Sequence, residues 1–173
     1  MPTSSPLGKE DIKEWFESRL EGTIKSIVDV GAGEGTYRKL LGPSYHWTAI
    51  EAWPDYIERF GLRNLYDVVV VGDVRTMVLP DADCIIFGDV VEHFIKEEGC
   101  RLLQEAVSRY AHVVVSIPIG EYVQGPIDGN AYEEHLSTWG WDELVGLIEP
   151  SLELLLPYHP TCPPDLGIGV FCR

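Results

Sequence analysis

Positive charge is scarce in this sequence. Lys and Arg number 13 against 28 Asp and Glu, giving a formal net charge of −15, so neither a phosphate backbone nor an anionic membrane surface is an expected partner. Small neutral or cationic ligands suit that balance. Long apolar runs are missing as well. None approaches the roughly 20 residues of a membrane span, and the opening MPTSSPLGKEDIKEWF has no basic segment followed by an apolar one. The expectation is therefore no membrane contact, no secretory signal and a cytoplasmic location. Cys84, Cys100, Cys162 and Cys172 form no CxxC pair and no small-framework spacing, which predicts inert free thiols. Metal-ligand spacing is absent too, and no metal is expected.

What is present suffices for one core. The chain has 173 residues, 45% of them apolar, which predicts a single domain over 1–173. Ile12, Trp15, Phe16 and Leu20 recur at helical spacing over 9–21, with Gly22 as a stop. SIVDV then reads as a buried strand, GAGEG as a tight loop, and Tyr37, Leu40 and Leu41 as one face of a helix. A second strand, HWTAIE, ends at Glu51, and Pro54 starts a helix through Phe60. The valine run of 66–74 has no alternation, which predicts a strand covered on both faces.

DCIIFGDV (83–90), a helix over 97–110 and the strand AHVVVSIPIG (111–120), stopped by Pro118, repeat the alternation. Residues 121–140 read as loop and 141–148 as helix. The segments 152–157 and 167–173, joined by a proline-rich turn, read as an antiparallel pair. The whole predicts a doubly wound, mostly parallel seven-stranded α/β sheet with helices on both faces and a ligand crevice above the carboxyl ends of its strands.

The segment SIVDVGAGEGTYRKLL (26–41) organises the rest. Gly31, Gly33 and Gly35 let the main chain turn sharply and approach a ligand, with free N–H groups expected at the helix start. A dinucleotide fingerprint GxGxxG places its third glycine five positions after the first. Here that position is Thr36. Asp29, two residues before the first glycine, repels a pyrophosphate and suits an ammonium group. Glu51 lies 22 residues beyond Asp29, the spacing of a ribose-binding acid.

In its successive motifs the chain resembles a class I S-adenosylmethionine-dependent methyltransferase, a family with a Rossmann-like fold, from residue 26 to 94 and more loosely to 148. The resemblance implies S-adenosyl-L-methionine as cofactor. VDVGAGEG matches the first motif, so Asp29, Gly31, Ala32, Gly33 and Gly35 are expected at the methionine and ribose parts. Glu51 matches the acid that takes both ribose hydroxyls, with Ala52 beside it and Trp53 against adenine. Gly72, Asp73 and Val74 match the segment at the adenine amine. DVVEHF (89–94) is similar to the strand-four ending and adds Asp89 and Val90. HLSTWGWDEL (135–144) resembles a later segment with Thr138 and Trp141 in place of an aromatic and a proline.

The implied reaction is in-line methyl transfer to an O or N nucleophile; a base is needed only for an acidic or hydroxyl acceptor, and His135, His93 and Glu134 are its candidates in that order. Asp73 and Asp89 also have a bland use as helix N-caps, and His93 as a solvated helix-start residue. The acceptor is expected to be a small molecule such as a sugar or polyketide-like hydroxyl, met by the N-terminal helix and by Tyr122, Gln124, Asn130, Tyr132 and His135. A homodimer or partner subunit is compatible with the short chain. Two other readings stay open: a non-catalytic subunit that binds the cofactor, and an NAD(P)-dependent oxidoreductase or epimerase. The last needs Gly at 36 and a Tyr-Lys or similar pair, where only Lys96 follows Lys39.

Overall fold

The computed structural model describes residues 5–148, 154–158 and 167–172. Its strands are β1 (Ser26–Val30), β2 (His46–Glu51), β3 (Val68–Val71), β4 (Cys84–Gly88), β5 (His112–Ile119), β6 (Leu154–Tyr158) and β7 (Gly167–Cys172). Helices α1 (Lys9–Arg19), α2 (Thr36–Leu41), α3 (Pro54–Arg59), α4 (Leu62–Leu65), α5 (Lys96–Arg109) and α6 (Trp141–Ile148) alternate with them. The sheet order is β3-β2-β1-β4-β5-β7-β6. Strands β1 to β5 pair in parallel, and β7 runs antiparallel to both β5 and β6. The order reverses between β1 and β4. A parallel sheet leaves its crevice at such a switch point, above the carboxyl ends of those strands.

Alternation along the central strands divides two apolar layers, because successive side chains leave a strand on opposite faces. Val28, Ile85, Phe87, Val113 and Val115 pack on one face with Leu102, Leu103 and Ala106 of α5 and with Leu144 and Ile148 of α6. Ile27, Ile86 and Val114 pack on the other with Ile12, Trp15 and Phe16 of α1, Tyr37 of α2 and Leu62 of α4. Helix α1 thus lies on the sheet by the face its sequence presents.

Three local expectations need correction. The valine run is covered on both faces only at its middle, where Val70 packs on one layer and Val69 on the other; β3 is an edge strand, with Val68 and Val71 exposed at 41% and 47%. Valine's β-branching favours any strand, so composition marked the element without locating it in the sheet. Pro118 does not stop β5, which continues to Ile119. Asp89 N–H donates to the Ser116 carbonyl, so by period two the Pro118 nitrogen also faces the β4 side. Because β4 has already ended at Gly88, the missing N–H breaks no rung there. Helix α1 ends at Arg19, ahead of Gly22, since Leu20 already caps it through the Phe16 carbonyl.

Cys84 is a buried free thiol, Cys172 is buried as well, and Cys100 is partly buried. Cys162, with most of the turn between β6 and β7, lies outside the described residues. Among the described residues no helix is long and apolar enough to cross a membrane.

Candidate active site

The loop after β1 uses its three glycines for three different purposes. All have positive φ, at 64°, 51° and 77° for Gly31, Gly33 and Gly35, a region that side chains disfavour. A Cβ on Gly31 would stand 2.6 Å from Val90 Cγ2, and one on Gly35 only 2.3 Å from Leu65 Cδ2. Those two positions are fixed by packing. A Cβ on Gly33 meets only the Gly31 carbonyl, at 3.7 Å, so that position opens into the cleft. Gly31 and Gly33 line the cleft, while Gly35 lies outside it, which corrects its expected place at the cofactor.

The start of α2 has no side-chain cap, in keeping with free N–H groups there, but the loop's own N–H groups are largely used internally. Gly31 and Ala32 donate to the Ile50 carbonyl, Gly35 to the Ala32 carbonyl, and Gly33 to Glu51 Oε2 at 3.0 Å. A loop whose donors are satisfied internally and that stands beside an acid is a poor phosphate cradle.

Four acids surround the loop, in different states. Glu51, at the end of β2, accepts from Gly33 N–H through Oε2 and from Trp53 N–H at 2.9 Å through Oε1. Each oxygen keeps a second lone pair. Burial pushes its pKa up, against the pull of those two N–H donors. Asp29 is buried and accepts from the Tyr66 hydroxyl at 2.6 Å. Desolvation raises its pKa to about 7 in spite of that bond and of the Lys9 charge.

Asp73 caps the 3₁₀ turn 74–76 through Arg75 N–H. It also holds the Arg75 guanidinium through both oxygens, at 2.9 Å to Nε and 2.6 Å to Nη2, which lowers its pKa. Asp89 has a φ of 54°. It accepts from Ser5 N–H at 2.9 Å and from the Ser116 hydroxyl at 3.0 Å, and Lys9 Nζ stands 3.5 Å away. The bland capping use thus holds for Asp73 and not for Asp89, which is partnered instead by Ser5, Ser116 and Lys9.

The glycine loop and these acids form one wall of a cleft of about 510 Å3, a size suited to a small-molecule site. Ala52, Gly72, Val74 and Val90 line it, as do all five loop residues picked out for the acceptor, Tyr122, Gln124, Asn130, Tyr132 and His135. Trp53 does not. Its ring lies outside the cleft, and Tyr56, one turn into α3, lines it instead.

His93 and His135 also line the cleft and meet with ring centroids 4.9 Å apart. His93 Nδ1 lies 3.1 Å from the Glu134 carbonyl and His135 Nδ1 2.7 Å from the Tyr122 carbonyl. A carbonyl only accepts, so Nδ1 carries the proton in both rings and Nε2 the lone pair. Desolvation lowers both pKa values, that of His93 to about 4, and both rings are neutral at pH 7.

Glu134 is the wrong acid. Its side chain is exposed and outside the cleft, and only its carbonyl takes part. Glu133 lines the cleft in its place, and burial raises its pKa. The expected absence of metal-ligating groups also needs revision. Glu92, His93 and His135 each offer a ligand atom within 4.8 Å of the other two. No spacing rule links residue 135 to residues 92 and 93; hydrogen bonds from Leu136 and Ser137 N–H to the Glu92 carbonyl join them.

Sequence reasoning missed Lys9. It is buried at the start of α1, donating to the Tyr37 hydroxyl at 2.6 Å and to Ser116 Oγ at 3.1 Å beneath Asp89. Burial lowers its pKa against the raising effect of Asp89. A lysine opening an amphipathic helix normally reads as solvated, and nothing in the periodicity marks this one. Ser5, Pro6 and Leu7, just ahead of it, also line the cleft.

Comparison with known proteins places this geometry. Residues 28–110 match the model of a family described as a methyltransferase domain. That match takes in the glycine loop, Glu51, Asp73 and Asp89 and covers just under half of the chain. A comparison with curated proteins finds no significant match. Among solved structures, the chain is similar to the N-terminal domain of EvdMO1 with S-adenosylhomocysteine bound, at 16% identity and a TM-score of 0.70, over 98% of this chain and 81% of that one. It is also similar to the mitomycin 7-O-methyltransferase MmcR, at 14% identity and 0.61, over 96% and 54%. A third similar structure is magnesium protoporphyrin IX methyltransferase from Synechocystis with S-adenosylmethionine bound, at 11% identity and 0.67, over 95% and 76%. At such identities the likeness is one of fold. The fold puts the glycine loop, Glu51 and the paired imidazoles around one cleft.

Proposed function

We propose that this chain, acting as one cytoplasmic domain, transfers the S-adenosylmethionine methyl group to an oxygen or nitrogen of a small acceptor inside the cleft. The observation that carries the reading is the meeting of two unlike groups in one cleft: the Gly33 position, open beside two buried acids, and two neutral imidazoles that line the same space. The residues fit the cofactor. Gly31, Ala32 and Gly33 give it room, the Asp29 carboxylate suits its ammonium, and the spare lone pairs of Glu51 suit two hydroxyls. Gly72 to Val74 and Tyr56 supply the surface for a flat base, with Asp73 held in place by Arg75.

Bound S-adenosylmethionine supplies an electrophilic methyl group on a sulfonium. The chain's own contribution is alignment, which is worth about 7 to 11 kcal/mol when reacting atoms are held at near-attack separation. The acids stabilise a cationic ligand already in its ground state, so they serve affinity more than rate. His135 and His93, neutral and facing the cleft, are the groups placed to take a proton from a hydroxyl acceptor.

Tyr122 and Tyr132 line the cleft and are substantially exposed, and such aromatic rings suit contact with an organic acceptor. Two similar structures point the same way: MmcR is named for a mitomycin hydroxyl, and the EvdMO1 domain was also crystallised in the presence of D-fucose. The test is calorimetric titration with S-adenosylhomocysteine and with NADH, then incubation of the protein and a metabolite extract with methyl-labelled cofactor. Expected are binding of the first ligand alone and a labelled small product. Binding of NADH alone would overturn the reading, and cofactor binding with no turnover would leave a binding subunit in its place.

A further inference from the structure

We propose that Glu92, His93 and His135 hold one divalent first-row transition cation in the wall of the cleft, leaving coordination positions open to oxygen atoms of the acceptor. One ligand atom from each lies within 4.8 Å of the other two, close enough for a single ion to bridge all three with small side-chain movement. Glu92 is 2% exposed, and its Oε2 has no hydrogen-bond partner. A buried carboxylate oxygen left unpaired is costly, and a cation satisfies it.

The two histidines are prepared in the way metal-binding imidazoles usually are. Each gives its Nδ1–H to a main-chain carbonyl, of Glu134 for His93 and of Tyr122 for His135. That fixes the ring and presents Nε2 as the donor. The frame is tied as well, since the Glu92 carbonyl accepts from Leu136 N–H at 2.8 Å and Ser137 N–H at 3.1 Å, holding the segment that carries His135 against the turn that carries the other two. Asp89 and Glu133 lie near enough to Glu92 to act on its charge, against Lys9 alone of opposite sign, so the local field favours a cation.

Two imidazoles and one carboxylate suit Mn2+, Co2+, Fe2+ or Zn2+ better than Mg2+ or Ca2+. Three protein ligands are one short of a closed structural site. All three residues line the cleft, so the open positions face the space where an acceptor is proposed to sit. The cation site stands by itself; only its use for acceptor oxygens rests on the methyltransferase reading. Imidazole lone pairs that hold a cation cannot also take a proton, so with the ion bound the site polarises an acceptor oxygen in place of acting as a base.

The test uses the full chain stripped with a chelator and titrated at neutral pH with Co2+, followed by visible absorption and by calorimetry, with S-adenosylhomocysteine titrated into the same preparation. Expected is one Co2+ per chain with ligand-field bands. Second-shell changes alone cost metal affinity 10- to 100-fold, so losing a direct ligand in Glu92→Gln or His135→Ala is expected to weaken binding by at least about a hundredfold. Retained S-adenosylhomocysteine affinity in these variants shows that they fold. Absence of saturable Co2+ binding in a protein that binds S-adenosylhomocysteine overturns the cation site alone, as does a wild-type Co2+ affinity in the His93→Ala/His135→Ala double variant. Stoichiometric Co2+ binding, lost in the variants, in a protein that ignores S-adenosylhomocysteine supports the site and overturns the methyltransferase reading.

Discussion

Replacing Asp29 by Asn should change how the stability of the cofactor-free protein depends on pH. The carboxyl is buried beside Tyr66, with Lys9 and Glu51 the other charges acting on it, and its pKa rises from 3.8 to about 7. A folded-state value above the unfolded one means that the protonated acid is favoured by folding. Its contribution is fully present below the unfolded value and is lost as the pH rises through 7. At 1.36 kcal/mol per pKa unit, the ionised form in the folded protein carries a penalty of about 4 kcal/mol. Most of the change falls where the unfolded chain is already ionised. Between about pH 5 and about pH 8 the wild type should therefore lose about 2 to 3 kcal/mol relative to Asp29→Asn.

The substituted amide oxygen still accepts from the Tyr66 hydroxyl, so packing is little disturbed. Urea denaturation of both proteins at the two pH values reads the difference directly. The ligand's ammonium group should reverse the trend, tightening S-adenosylhomocysteine binding to the wild type as the pH rises and leaving the variant flat. Parallel stability profiles for the two proteins would refute the reasoning, because they would show that Asp29 does not titrate between its unfolded value and 7.

The glycines should separate by what they touch. Gly33→Val should abolish S-adenosylhomocysteine binding by calorimetry while the protein stays folded by circular dichroism, whereas Gly35→Ala, blocked by Leu65 Cδ2 at 2.3 Å, should lower Tm. Glu51→Ala removes two N–H acceptors and the proposed hydroxyl partner together, and should weaken S-adenosylhomocysteine binding by more than about 1 kcal/mol; an unchanged titration would place the ribose elsewhere. Trp53→Ala should leave that affinity close to wild type, because the ring lies outside the cleft, while Tyr56→Ala should weaken it. His135→Ala should lower turnover of labelled product with little effect on S-adenosylhomocysteine affinity, which activity and calorimetry together would check.

Residue order alone determined the alternation of strands and helices, the place of the glycine loop after β1 and the acid at the end of β2. These are local matters: β-branched runs, helical spacing and turn glycines act within a few residues, and the parallel sheet follows from their sequence. The methyltransferase resemblance was legible for the same reason, since its motifs sit at strand ends. Only tertiary structure decided which face or edge each element occupies. It put the valine strand at the sheet's margin, turned Trp53 out and Tyr56 in, and chose Glu133 over Glu134.

Long-range contacts decided the chemistry in the same way. Lys9 is buried beneath Asp89, 80 residues on, and His135 reaches His93 only because the chain is hydrogen-bonded back on itself at Glu92. Burial and charge pairing are properties of neighbours brought together by the fold. A sequence pattern read a few residues at a time cannot contain them, and for that reason the site's titration and its metal-ligating cluster came from the structure.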